Sequence, residues 1–108
     1  MAQNYAYGSV LLKALADESR LMIVDMLSCG ELCACEILEK FEFSQPALSQ
    51  HMKILRDCRL VNARKEGRWT YYSLSKPAMQ DMRDFLHSIT TDTENCICKE
   101  GECDCGRE

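Results

Sequence analysis

A chain of 108 residues has length for one compact domain with a real hydrophobic core, and is too short for two. Its formal net charge of −4 argues against a polyanionic partner only if the charge is evenly spread, and its eight cysteines point to metal or redox chemistry if the compartment is reducing. The opening stretch MAQNYAYGSVLLKALADESR has no basic leader, and Lys13 interrupts its apolar run, so neither a secretory leader nor a membrane span is expected and the expected location is cytoplasmic.

The charge is not evenly spread. Residues 44–72 carry Lys53, Arg56, Arg59, Arg64, Lys65 and Arg68 against Asp57 and Glu66, a net +4. Residues 91–108 carry Asp92, Glu94, Glu100, Glu102, Asp104 and Glu108 against Lys99 and Arg107, a net −4. The acidic balance therefore belongs to the tail, and the middle of the chain is a basic island suited to a phosphate backbone.

In chain order, Val10, Leu11, Leu12, Ala14 and Leu15 predict a first helix over 9–16, too densely apolar for a solvent-facing helix and suited to a packing or dimer surface. Asp17 caps a second helix over about 18–28, which Gly30 stops. A third, short helix begins at Cys33 and Cys35 and presents Ala34, Ile37, Leu38 and Phe41 on one face, ending near Phe41. Ser44 caps a fourth, with Pro46 in its first turn and Ala47, Leu48, Met52 and Leu55 facing inward. Two short helices joined by a tight turn predict a helix-turn-helix. From Val61 the pattern becomes extended on both sides of Glu66-Gly67, predicting a β-hairpin wing. Ser75 and Pro77 open a final helix with an apolar stripe of Met79, Met82, Phe85, Leu86 and Ile89. The architecture expected is mainly α, about five helices and a two-stranded wing over 1–90, followed by a flexible acidic cysteine-rich tail over 91–108.

Helix-turn-helix recognition needs polar side chains near the N-terminal end of the second helix and cations beside it. Ser44, Gln45, Ser49, Gln50 and His51 meet the first need, and Lys53, Arg64, Lys65 and Arg68 the second, with the wing cations lying along the backbone or the adjacent minor groove. Trp69, Tyr71 and Tyr72 are expected to pack the wing, and Cys58 to lie in the core. No constellation of acid, base and nucleophile suggests an enzyme.

The order helix, helix, ELCACEIL, SQPALSQHMKILRDCRLV and ARKEGRWTYYSL resembles the ArsR/SmtB family of winged-helix metalloregulatory repressors over roughly residues 9–90. The resemblance implies a homodimer joined by the first and last helices and binding palindromic operator DNA. It also implies that Cys33 and Cys35 bind the inducer. Thiolates favour As(III) and Sb(III), with Cd(II) or Pb(II) as alternatives, and a redox-sensing regulator is a third possibility.

On a regular helix residues two apart point about 200° from each other, so chelation by Cys33 and Cys35 is expected to unwind or tilt the first turn, and the helix N-terminus is expected to lower their pKa. The arsenic-sensing members place a third cysteine shortly after the pair, where this chain has Leu38. Candidates for a third sulfur are Cys96, Cys98, Cys103 or Cys105 from the tail, or Cys29. The family's zinc site on the last helix is incomplete, since Asp81, Asp84 and His87 lack their partners.

Overall fold

The computed structural model describes residues 4–91, so Cys96, Cys98 and the rest of the tail lie outside the described residues. Five helices and three short strands follow in the order α1 (Tyr5–Leu15), α2 (Glu18–Leu27), β1 (Leu32–Cys33), α3 (Ala34–Leu38), α4 (Gln45–Asp57), β2 (Val61–Glu66), β3 (Trp69–Leu74) and α5 (Lys76–Thr90). Among the described residues no helix is long and apolar enough to cross a membrane.

The helix starts follow local chemistry. Asp17 accepts the Arg20 N–H at 3.1 Å, and Ser44 and Ser75 accept those of Ala47 and Ala78 at 3.3 Å each. Each side-chain oxygen satisfies one of the orphan amides of a first turn. Pro46 and Pro77 sit in the first turns of α4 and α5, where a missing N–H costs nothing. At the far end of α4, Leu60 N–H returns to Leu55 O at 3.0 Å and Arg59 N–H to Arg56 O at 2.9 Å. That is a Schellman closure, and it forces Arg59 into the left-handed region at φ 66°.

The first helix starts earlier than expected, at Tyr5, and runs through Gly8. Gly8 is there for a packing reason: a Cβ at this position would run into the ring of Phe85 on α5, and Tyr5 meets the same ring edge-on at 6.5 Å. The core gathers Leu11, Ile23, Ile37, Leu48, Met52, Leu55 and Leu60, each almost wholly removed from water, from α1 to α4 and the turn into β2.

The wing is larger than a two-stranded hairpin. β2 and β3 pair antiparallel from Val61↔Leu74 to Glu66↔Trp69 across a two-residue turn led by Gly67, whose φ of 63° an L side chain rarely adopts. β1 adds a third strand on the other side of β3, through Leu32↔Tyr72 and Cys33↔Tyr71, giving the order β1-β3-β2. Cys33 is therefore a strand residue and the N-cap of α3, with extended backbone (φ −82°, ψ 159°), not a residue of the helix itself.

Candidate nucleic-acid interface and thiol site

α4 divides cleanly into two faces. Leu48, Met52 and Leu55 are buried, while Gln45, Ser49 and Lys53, spaced four apart, form an exposed row beside Gln50 and the capping Ser44. The polar residues expected to reach base edges thus share the outer face at the helix's N-terminal end. Lys53 pairs with Asp57 one turn on, at 2.9 Å, an exposed contact that water screens.

His51 departs from that group. It is half-buried, and its Nδ1 accepts from Arg20 Nη1 at 3.1 Å and lies 3.9 Å from the Asp17 carboxylate, while the ring sits 5.3 Å from Phe43, itself stacked on Phe41 at 4.6 Å. Arg20 also donates from Nε to Ala14 O at 2.6 Å. His51 is thus a strut binding α4 to the α1–α2 junction, with its ring turned inward. The Arg20 backbone N–H, aided by the Arg20 charge, holds the Asp17 carboxyl below the usual carboxylate range. Arg20 is a functional positioner that the sequence did not single out; the Asp17-to-Arg20 spacing was its only signal.

On the wing, Lys65 and Arg68 are exposed at the tip, whereas Arg64 is held. Its Nε and Nη2 donate to the two oxygens of Glu31 at 2.9 Å each, and its Nη1 donates to Glu66 at 2.8 Å. The guanidinium also lies 4.6 Å from the ring centroid of Tyr71. The hydrogen bond from Arg64 holds the Glu31 carboxyl below its ordinary range. Trp69, expected to pack the wing, is about half exposed.

The thiols of Cys33 and Cys35 converge. Their side chains meet sulfur to sulfur, with Cys33 buried and Cys35 exposed. The expected 200° divergence fails because Cys33 precedes the helix: extended backbone at the N-cap turns its side chain back over the first turn. Chelation at this pair consequently requires no unwinding. The Glu36 carboxylate accepts the Cys33 N–H at 2.8 Å, which is half of a capping box built around a cysteine.

The helix N-terminus does not dominate the acidity of Cys35. Hydrogen bonding to the Cys33 sulfur, then burial, then the Cys33 and Glu36 charges push its thiol above the ordinary range, and the lowering contribution of the Glu36 backbone N–H is outweighed. Cys58 caps the end of α4, half-buried; burial raises its pKa, and the thiol donates to Leu55 O at 3.4 Å. Among the described residues no three His, Cys, Asp or Glu side chains gather as a metal site, so neither Cys29 nor the Asp81, Asp84 and His87 group completes one.

Cys35 opens onto a cleft of about 200 Å³ that it shares with Ala34, Leu38, Gln45, Leu48, Arg68, Trp69 and Thr70. Cys35 therefore borders both the first residue of the α4 outer face and the tip of the wing.

Comparison with known proteins agrees with this geometry. The family model described as bacterial regulatory protein, arsR family, matches residues 17–63. Over 103 residues the chain is 48% identical to a protein of Staphylococcus aureus named arsenical resistance operon repressor, covering 93% of this chain and 99% of that one. Over 89 residues it is 45% identical to the transcriptional activator HlyU of Vibrio cholerae, covering 82% of each. A solved structure of HlyU from Vibrio cholerae superposes with a TM-score of 0.69 at 45% identity, covering 82% of this chain and 96% of that one. With its winged helix-turn-helix and this similarity along nearly its whole length, the chain belongs to the ArsR family of DNA-binding transcriptional regulators, which are not enzymes.

Proposed function

We propose that this chain is a homodimeric, cytoplasmic repressor whose complex with double-stranded operator DNA is released when As(III) or Sb(III) binds Cys33 and Cys35. The observation that carries the reading is the convergence of the two sulfurs beside a cleft that also holds Gln45 and Arg68. The arsenical resistance named for the Staphylococcus aureus relative points the same way.

In this reading Ser44, Gln45, Ser49 and Gln50 enter the major groove from the outer face of α4, and Lys53, Lys65 and Arg68 neutralise phosphates. Tyr5 and Val10 on α1 and Leu86 and Ile89 on α5 are exposed apolar side chains, which supports pairing of these two helices with a second copy. A third sulfur comes from the tail, through Cys96 or Cys98, since the described residues supply only two converging thiols.

The soft thiol pair suits As(III) and Sb(III), and also Cd(II) or Pb(II), better than a hard cation. An ion held by the pair would sit between β1 and the first turn of α3, beside the cleft wall that carries Gln45 and Arg68, and would displace that wall.

Fluorescence anisotropy of labelled operator, read with the reduced protein and increasing arsenite, tests the reading. Wild type should lose about 5- to 150-fold in operator affinity, and the Cys33→Ser, Cys35→Ser double variant should bind operator as before but ignore arsenite. Equal release of both proteins would refute it. The same sulfur approach favours a second reading, in which peroxide takes two electrons and two protons from the pair to leave a disulfide and two waters. Release by peroxide without metal, and indifference to arsenite, would select it.

A further inference from the structure

We propose that Arg64 is a positioning residue and does not bind phosphate: the Glu31–Arg64 ion pair ties the strand carrying Cys33 to the wing, and inducer binding reaches the wing through it. The inference rests on the function proposed above and names the route by which that site acts.

Three observations converge on this pair. Glu31 directly precedes β1, and its carboxylate takes Arg64 two-pronged, at 2.9 Å for each contact. Cys33 and Arg64 are both register partners of Tyr71, one from β1 and the other from β2, so the thiol, the aromatic ring and the guanidinium occupy one row across the sheet. The guanidinium lies against the Tyr71 ring, which fixes its plane. A row of this kind transmits a shift of one strand directly to its neighbours.

β1 is only two residues long, so few backbone hydrogen bonds hold it to β3. The two-pronged pair with Arg64 adds a directional fastening between β1 and the hairpin to the core packing of Leu32 and Cys33. When an ion held by Cys33 and Cys35 displaces β1, Glu31 moves with it, and the two-pronged pair draws the planar fork of Arg64 after it. That pull turns the hairpin that bears Lys65 and Arg68.

The same geometry argues against a phosphate role. Nε, Nη1 and Nη2 of Arg64 are all donating to the carboxylates of Glu31 and Glu66, so one positive charge stands among two negative ones. A phosphate approaching that cluster meets net repulsion, whereas Lys65 and Arg68 have no ion-pair partner among the described residues.

The test uses the full reduced chain, labelled operator and arsenite as the probe, with Glu31→Gln, Arg64→Gln and the charge-swapped Glu31→Arg with Arg64→Glu. Arsenite uptake is followed separately by the near-ultraviolet absorption of arsenic–sulfur bonds. Both single variants should take up arsenite as wild type does and hold operator within about fivefold of wild type, the range of an exposed ion pair. They should keep the wild-type slope of log affinity against log salt, and their arsenite-induced release should fall below about twofold where wild type shows 5- to 150-fold. The charge swap should restore release. Lys65→Gln should instead lower the salt slope by about 0.9 for each phosphate it no longer neutralises.

If Arg64→Gln lowers the salt slope and leaves release intact, Arg64 binds phosphate and the inference is wrong. Undiminished release in both single variants would overturn the link alone. A wild-type complex indifferent to arsenite would overturn the proposed function and this link together.

Discussion

The two helices of the helix-turn-helix are built to very different standards. α4 has 13 residues, a serine cap, a proline in its first turn, a Schellman closure and three buried anchors in Leu48, Met52 and Leu55. α3 has five residues, a cysteine at its N-cap and one buried anchor, Ile37. Helices that short are marginal by themselves, so α3 depends on its neighbours for its existence. The difference places the sensing thiols on the element that yields most readily and the reading surface on the one that yields least. On the proposed reading, a ligand at Cys33 and Cys35 would deform the support and move α4 as a body, leaving its outer face unaltered.

The largest expected effect comes from damaging the rigid partner. Leu55 is fully buried at the heart of α4, and Leu55→Ala should lower unfolding stability by about 2–5 kcal/mol in chemical denaturation, through forfeited transfer energy and a cavity. A loss below about 1 kcal/mol, outside that range, would mean that α4 is no better anchored than α3. Ser44→Ala should cost about 1 kcal/mol, because one first-turn amide loses its acceptor. Arg59→Gly should raise stability by up to about 1 kcal/mol, since glycine adopts the left-handed conformation without a Cβ penalty.

Acid should loosen both regions by a smaller step. The Asp17 and Glu31 carboxyls lie below their ordinary range when folded, Asp17 chiefly through the Arg20 amide and Glu31 chiefly through Arg64. Each is protonated more easily in the unfolded chain, so its contribution is complete at neutral pH and disappears as pH falls through the folded value, from about pH 5 downward. Asp17→Asn and Glu31→Gln should each flatten that acid limb in pH-dependent denaturation. The first removes a fastening of α4 and the second a fastening of β1, so the pair compares the two regions directly.

Much of the reading side was legible because its signals are local. Ser44, Pro46, Asp17, Ser75 and Gly67 announce caps and a turn within a few residues of where they act. The sensing side was not, because its decisive contacts are long-range. A two-residue strand has no periodicity to read, and Cys33 pairs with Tyr71 far along the chain, so Cys33 looked like a helical residue and its sulfur was assigned the wrong direction. Arg64 looked like an unpaired wing cation because Glu31 stands 33 residues earlier, and His51 looked exposed because Arg20 and Asp17 reach it from another helix. The start of α1 was missed because the expectation followed the apolar run from residue 9, whereas Gly8 lies inside the helix and admits the ring of Phe85.

The contrast between a yielding α3 and a rigid α4 is tested most directly by amide hydrogen exchange of the reduced protein with and without arsenite. Exchange over Cys33–Leu38 should change on loading, while the amides of α4 from Leu48 to Asp57 keep their protection. Loss of protection along α4 comparable to that in α3 would contradict the claim that the reading helix moves as an intact body.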